Sequence, residues 1–169
     1  TITKIDEPGM EYPVGTRCIV LADGDANDYE SRCKQLMEYL NNESDLPTAE
    51  LIDWKNAKEH KPLIIKGCRQ CGKTFSVLEF AKNNYKNVVY LNFFENPDYA
   101  SVFSGSLEID NIIMMLSALL GKGAVFEAGE TVLILDEIQE CPEARTALKF
   151  FQMDGRFDVI GTGSLLGVK

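Results

Sequence analysis

"PLIIKGCRQCGKTFSVLEFAKNN", residues 62–84, decides how the whole chain is read. Its centre, "GCRQCGKT" (67–74), fits two patterns at once. One is Cys68-x-x-Cys71, the spacing of a redox pair or of half a zinc site. The other is Gly67-x-x-x-x-Gly72-Lys73-Thr74, a loop that cradles phosphate. The flanks discriminate between them. "PLIIKG" (62–67) is an apolar strand entering a glycine turn, and "KTFSVLEFAKNN" (73–84) reads as the helix that leaves it. The phosphate reading requires that strand–loop–helix order; a cysteine pair does not.

Each residue of the second pattern has a physical task. The glycines let backbone N–H groups turn inward around phosphate oxygens. The helix start adds partial positive charge. Lys73 is placed to reach the β- and γ-phosphates, and Thr74 to offer a hydroxyl to Mg²⁺. The plain alternative is a glycine turn with a surface lysine. For the thiols, a four-thiolate zinc site needs a second pair, and Cys18, Cys33 and Cys141 are scattered. Two readings stay open: small loop residues facing away from phosphate, or thiols of lowered pKa whose disulfide would block nucleotide.

Working outward, the pattern alternates. "NVVYLNF" (87–93) predicts a strand, followed by a loop around Asn96-Pro97. "LEIDNIIMMLSALLG" (107–121) predicts a helix stopped by glycine, and "TVLILDE" (131–137) a buried strand. "PEARTALKFFQ" (142–152) predicts a helix with proline in its first turn, and "FDVIGTG" (157–163) a last strand. Strands alternating with helices predict a parallel sheet with helical crossovers. The strands are apolar throughout, as both-face burial demands.

Asp136 falls at the C-terminal end of a buried strand, where ligands of open α/β sheets sit. That position suits a carboxylate holding a Mg²⁺-bound water. Glu137 follows as the natural base for an attacking water; the alternative is a solvated acidic strand end. In "VIGTGS" (159–164), Thr162 or Ser164 is placed to touch the γ-phosphate or that water, or the segment is simply a strand-to-loop turn.

The N-terminal part is harder to read. "TRCIVLAD" (16–23) predicts a strand, "DYESRCKQLMEYLNN" (28–42) a helix with one apolar face, and "TAELIDWKNAKEH" (48–60) a second helix with Leu51, Ile52 and Trp54 near one side. The expected organisation is a small α+β extension over residues 1–45 and a core over 46–169.

Composition narrows the classes. The chain has 169 residues, 45% apolar and 25% charged, with a net charge of −9, ordinary for one globular domain. Residues 1–60 carry −7 of that charge and residues 61–169 carry −2. No basic stripe points to nucleic acid or an anionic membrane, and no apolar run has the ~20 residues of a membrane span. Five cysteines without an export signal read as reduced thiols of a cytoplasmic protein. A single histidine, His60, disfavours mechanisms needing several imidazoles. "DGDAND" (23–28) begins like a calcium loop, but Asp28 stands where glycine belongs and Lys34 where glutamate does.

"WKNAKEHKPLIIKGCRQCGKT", "VVYLNFFENP", "LILDEIQECPEARTALKFF" and "GTGSLLGV" together resemble prokaryotic AAA-domain ATPases that carry an uncharacterised C-terminal domain. The resemblance covers residues 49–169. It implies a three-layer α/β P-loop NTPase fold of the AAA+/RecA-like kind, with ATP and Mg²⁺ as ligand and cofactor and hydrolysis expected. Matched by position, Gly67, Cys68, Arg69, Gln70, Cys71, Gly72, Lys73 and Thr74 fall on the Walker A loop, Asp136 and Glu137 on Walker B, and Ser164 on the polar sensor. Similar proteins carry small or aliphatic residues where Cys68 and Cys71 stand. They also continue past "GSLLGV" with a further strand, a lid and the C-terminal domain, so the resemblance predicts a truncated core.

Such ATPases commonly take an arginine from a lid or a neighbouring subunit; Arg145 and Arg156 are present, but nothing in the sequence aims either at the γ-phosphate. Oligomers and a protein partner are compatible with the resemblance. Two other readings compete with hydrolysis: an ATP-dependent switch with little turnover, and a circularly permuted GTPase built on "TKID" (3–6). The second also needs "DVIG" (158–161) at the end of a strand, yet Asp158 begins one.

Overall fold

The computed structural model describes residues 17–20, 46–57, 61–67 and 73–164. The elements run in chain order as β1 (Arg17–Val20), α1 (Leu46–Asn56), β2 (Leu63–Gly67), α2 (Lys73–Asn84), β3 (Asn87–Asn92), α3 (Ile109–Leu120), β4 (Thr131–Asp136), α4 (Pro142–Asp154) and β5 (Asp158–Ser164). Three 3₁₀ segments, Pro97–Phe103, Gly121–Gly123 and Ile138–Glu140, join them. The five strands form one sheet in the order β1-β2-β5-β4-β3, and every pair is parallel. The α/β fold with a parallel sheet expected from the sequence is what the chain adopts.

Strand position explains strand burial. All six residues of β4 and all five of β2 are buried, whereas β3, at the edge, is partly open. Alternate residues of β2, β3, β4 and β5 feed two separate cores. Leu63, Ile65, Val132, Ile134 and Ile160 pack under Leu51 and Trp54 of α1 and Val77, Phe80 and Ala81 of α2. Ile64, Val89, Leu91, Leu133, Leu135 and Val159 face the other way. They meet Ile112 and Leu116 of α3 and Ala144, Ala147, Leu148 and Phe151 of α4. Both helices present apolar residues at i, i+3/i+4 and i+7, which makes one buried stripe per helix. The result is three layers, with helices on both faces of the sheet.

The ends of the elements follow their residues. α3 stops at Gly121, φ 61°, and α4 at Gly155, φ 71°, where the left-handed backbone suits glycine. Pro142 opens α4 as predicted. The stretch after β3, expected as a plain loop, winds into a 3₁₀ segment because Val102 and Phe103 are buried, with Phe103 edge-on to Phe93.

Helix α1 corrects one sequence reading. Leu51 and Trp54 are buried, but Ile52, grouped with them, is exposed. Trp54 also donates its indole N–H to the Lys61 carbonyl at 2.7 Å, which ties α1 to the approach of β2.

The predicted strand at 16–23 is present as Arg17–Val20. It pairs with β2, Cys18 opposite Ile64, so this part of the 1–45 segment belongs to the sheet. The helix expected at 28–42 and the "TKID" and "DGDAND" stretches lie outside the described residues. Among the described residues no helix is long and apolar enough to cross a membrane.

Helix α2 offers an internal comparison of core and surface. Phe80 is 2% exposed and Phe75 is 71% exposed. Phe80→Ala is expected to lower unfolding free energy by about 3–5 kcal/mol and Phe75→Ala by under about 0.5 kcal/mol, read from urea midpoints of the two variants.

Candidate functional site

All the strands are parallel, so their C-terminal ends open on one side, where α2 also begins. Lys73 is the first residue of α2 and is 5% exposed. Its Nζ donates to the Gly67 carbonyl at 3.1 Å and so bridges the two ends of the glycine loop. Cys68, Arg69, Gln70, Cys71 and Gly72, between those ends, lie outside the described residues.

Thr74 donates its hydroxyl to Asp136 Oδ2 at 3.0 Å, joining α2 to the tip of β4 across 62 residues of sequence. A hydroxyl that gives its proton to a carboxylate keeps its lone pairs for another partner.

Asp136 is 3% exposed, and a charged group so buried needs many donors. Oδ2 accepts from Thr74, from the Tyr90 hydroxyl at 2.7 Å and from Asn92 Nδ2 at 3.4 Å. Oδ1 accepts from the Glu137 backbone N–H at 3.1 Å and from the Thr162 hydroxyl. Asn92 stands directly opposite Asp136 in the β3–β4 register, which explains its reach. Its Nδ2 also donates to the Tyr90 oxygen at 3.1 Å, and its Oδ1 receives the N–H groups of Phe94 and Glu95 at 3.0 Å each. Burial, and then the bond to Asp136, push the Tyr90 phenol well above the usual tyrosine range. It therefore stays protonated and remains a donor.

Glu137 leaves the strand with φ 52°, the only positive φ of a non-glycine among the described residues. Left-handed backbone at such a residue is uncommon and costs energy. Its Oε2 accepts from Gln139 Nε2 in the 3₁₀ turn that follows.

The structure thus brings Gly67, Lys73, Thr74, Asp136, Glu137 and Thr162 to one end of the sheet. Thr162 is wholly buried and engaged with Asp136. Ser164 ends β5 opposite Gly67 in register; its side chain lies outside the described set. Tyr90, Asn92 and Gln139 escaped the sequence reading. The one available signal was the period of two in "VVYLN", which puts Tyr90 and Asn92 on a common face.

Asp158, by contrast, begins β5 at the opposite end of the sheet and takes the Tyr85 hydroxyl. The GTPase pattern needs its aspartate at the end of a strand, where Asp158 is not.

The donor set suits Mg²⁺. Thr74 and Asp136 present hard oxygens side by side, and the described residues hold no group of three or more His, Cys, Asp or Glu fit for a metal. A cation held by one or two protein oxygens with phosphate and water completing its shell fits that arrangement; an all-protein cage does not.

The tyrosines give a pH signature. Tyr85 and Tyr90 both have phenols raised from 10.0, first by burial and then by a carboxylate neighbour. Above about pH 10 an unfolded chain loses phenol protons that the native state keeps, so stability falls as pH rises. Tyr90→Phe is expected to make that fall shallower, read from urea midpoints taken from neutral pH to beyond the phenol range.

No curated protein and no solved structure matches this chain. One family model, described as an AAA domain, matches residues 59–168, more than half of the chain. The match begins just before β2 and runs through the whole assembly of Lys73, Thr74, Asp136 and Glu137. On sequence, fold and this arrangement together, the chain belongs to the AAA domain family of nucleotide-binding, ATPase-type proteins.

Proposed function

We propose that the chain binds Mg²⁺-ATP at the C-terminal ends of β2, β4 and β5 and hydrolyses it. The observation that carries this reading is the 3.0 Å contact between Thr74 and Asp136. It joins the start of α2 to the tip of β4, the two halves of a metal–phosphate site.

The residues take the following parts. Backbone N–H groups of the loop from Gly67 to Gly72, Cys68, Arg69, Gln70 and Cys71 included, face the phosphates. Lys73 exchanges the Gly67 carbonyl for β- and γ-phosphate oxygens. Thr74 and Asp136 would hold Mg²⁺, which would supply neutralisation of charge on the phosphate oxygens. Glu137 accepts a proton from the water that attacks the γ-phosphorus. The bond from that phosphorus to the β–γ bridging oxygen breaks, and ADP and phosphate leave. Ser164, at the tip of β5, is the polar group nearest in sequence to sense the γ-phosphate. Residues 46–169 form the catalytic core in this reading, and the 1–45 segment adds β1 to its edge.

A second reading, a nucleotide-dependent switch with little turnover, draws on Arg156. This arginine pairs with Asp110 at 2.6 Å and Asp154 at 2.7 Å beyond the C-terminus of α4. Those partners hold it next to the start of β5, at the other end of the sheet from Asp136. Arg156 is therefore not the arginine that meets the transition state, and in this reading the isolated chain turns over slowly.

Three measurements separate the readings. Lys73→Ala is expected to weaken Mg²⁺-ATP binding by about 10- to 100-fold, the size of lost charge-assisted hydrogen bonds. Unchanged affinity in that variant removes the phosphate-loop reading. Glu137→Gln should keep ATP affinity and lower turnover about 10²-fold; if binding holds and neither protein turns over, the switch is the better account. Preference for GTP over ATP in the same titration would revive the GTPase.

A further inference from the structure

We infer that Gln139 is the positioning residue that aims the Glu137 carboxylate, and that Gly163 is the seat that lets it do so. The inference rests on the proposed role of Glu137 toward the attacking water.

Glu137 has left-handed backbone at the end of β4, and backbone torsions alone do not fix a side chain's own torsions. Something else must fix the carboxylate. Gln139, two residues on in the Ile138–Glu140 turn, donates Nε2 to Glu137 Oε2. The same amide is pressed against β5. A Cβ on Gly163 would come within 2.7 Å of Gln139 Oε1 and 3.8 Å of its Cδ. Gly163 has no left-handed φ to explain it, so what its missing side chain provides is room for that amide.

One further fact fixes the orientation of the amide. Gln139 Oε1 is buried and has no hydrogen-bond partner. A desolvated acceptor left unmade is costly, and buried polar atoms are seldom left so. Rotating the amide by half a turn would present that oxygen to the Glu137 carboxylate, acceptor against acceptor. The fold keeps the orphaned oxygen on the β5 side and the donor on Glu137. An amide present only to tie down the turn has no need to face a carboxylate at the mouth of the site.

The test uses the full 169-residue chain with Gln139→Leu, Gly163→Ala, Glu137→Gln and the pairwise doubles. Mg²⁺-ATP affinity and single-turnover hydrolysis are measured for each. Gln139→Leu and Gly163→Ala should keep affinity within about threefold and slow hydrolysis by about 10- to 100-fold, as misplacement of a catalytic group does. Each double should be no slower than its slower parent, because all three residues act through one carboxylate. A second readout needs no turnover. Binding of ADP with Mg²⁺ and aluminium fluoride should weaken about tenfold in Gln139→Leu, while a non-hydrolysable ATP analogue binds as to the wild type.

Gln139→Leu that binds both analogues like the wild type, or hydrolyses as fast or faster while Glu137→Gln is slow, overturns the positioning role alone. Equal weakening of both analogues, with a lowered unfolding midpoint, reduces Gln139 to a structural contact. Wild-type turnover in Glu137→Gln removes the Glu137 reading itself, so the two failures are told apart.

Discussion

The buried carboxylate of Asp136 is the constraint around which this end of the molecule is arranged. A charge removed from water must be met by hydrogen-bond donors. Five donors meet it, from α2, β3, β5 and the residue after β4. They fix relations that hydrophobic packing leaves loose. Thr74 sets how α2 starts relative to β4. Asn92 and Tyr90 require β3 in its observed register, since a slip of one residue would turn both to the other face. Thr162 requires β5 beside β4 with the same face turned inward. The site and the sheet order are thus one arrangement.

The two glycines of "GTG" show how backbone and site share a surface. A Cβ on Gly161 would lie 2.5 Å from Ile64 Cδ1 and 3.2 Å from Ile138 Cδ1, and one on Gly163 would strike the Gln139 amide. The turn after β4 therefore sits directly on β5. A Cβ at either position would force the side chains of Ile64, Ile138 or Gln139 to shift. Glycine in a strand interior weakens the strand, and here it lets the turn carrying Glu137 close down on the sheet.

The sequence made the fold legible because its signals were local. Apolar runs ending in Gly67 and Asp136, a proline at Pro142 and the glycine at 121 mark elements without any knowledge of what packs on what. Lys73, Thr74, Asp136 and Glu137 were readable for the same reason, since motif and strand end coincide. Tyr90, Asn92 and Gln139 were not. The roles of Tyr90 and Asn92 depend on which strand neighbours which and in what register, and no short-range pattern encodes a partner 46 or 44 residues away; Gln139 is only two residues from Glu137, but its amide is placed by the turn closing on β5. The Thr162 hydroxyl was read as facing phosphate or water. It faces Asp136, because that carboxylate lies across the β4–β5 boundary and takes any donor in reach. The face of Ile52 was misjudged for a related reason: Leu51 and Trp54 fill the available contact with the sheet, and a third large residue between them has nowhere to go but out.

Direction along the sheet decides what an aspartate means here. Asp158 and Asp136 are both strand-terminal, and both take a tyrosine hydroxyl. Asp158 is at the start of its strand. Lys55 lies over the Tyr85 ring at 4.0 Å and donates to the Asn84 carbonyl, so α1, α2 and β5 are tied together there. Among the described residues, nothing at that end supplies the start of a helix following a strand. Asp136 is at the finish of its strand, where α2 begins and a helix start carries partial positive charge. The same two side chains therefore make a fastening at one end of the sheet and a binding edge at the other. A parallel sheet gathers all its strand finishes on one side, so the chemistry collects there as well.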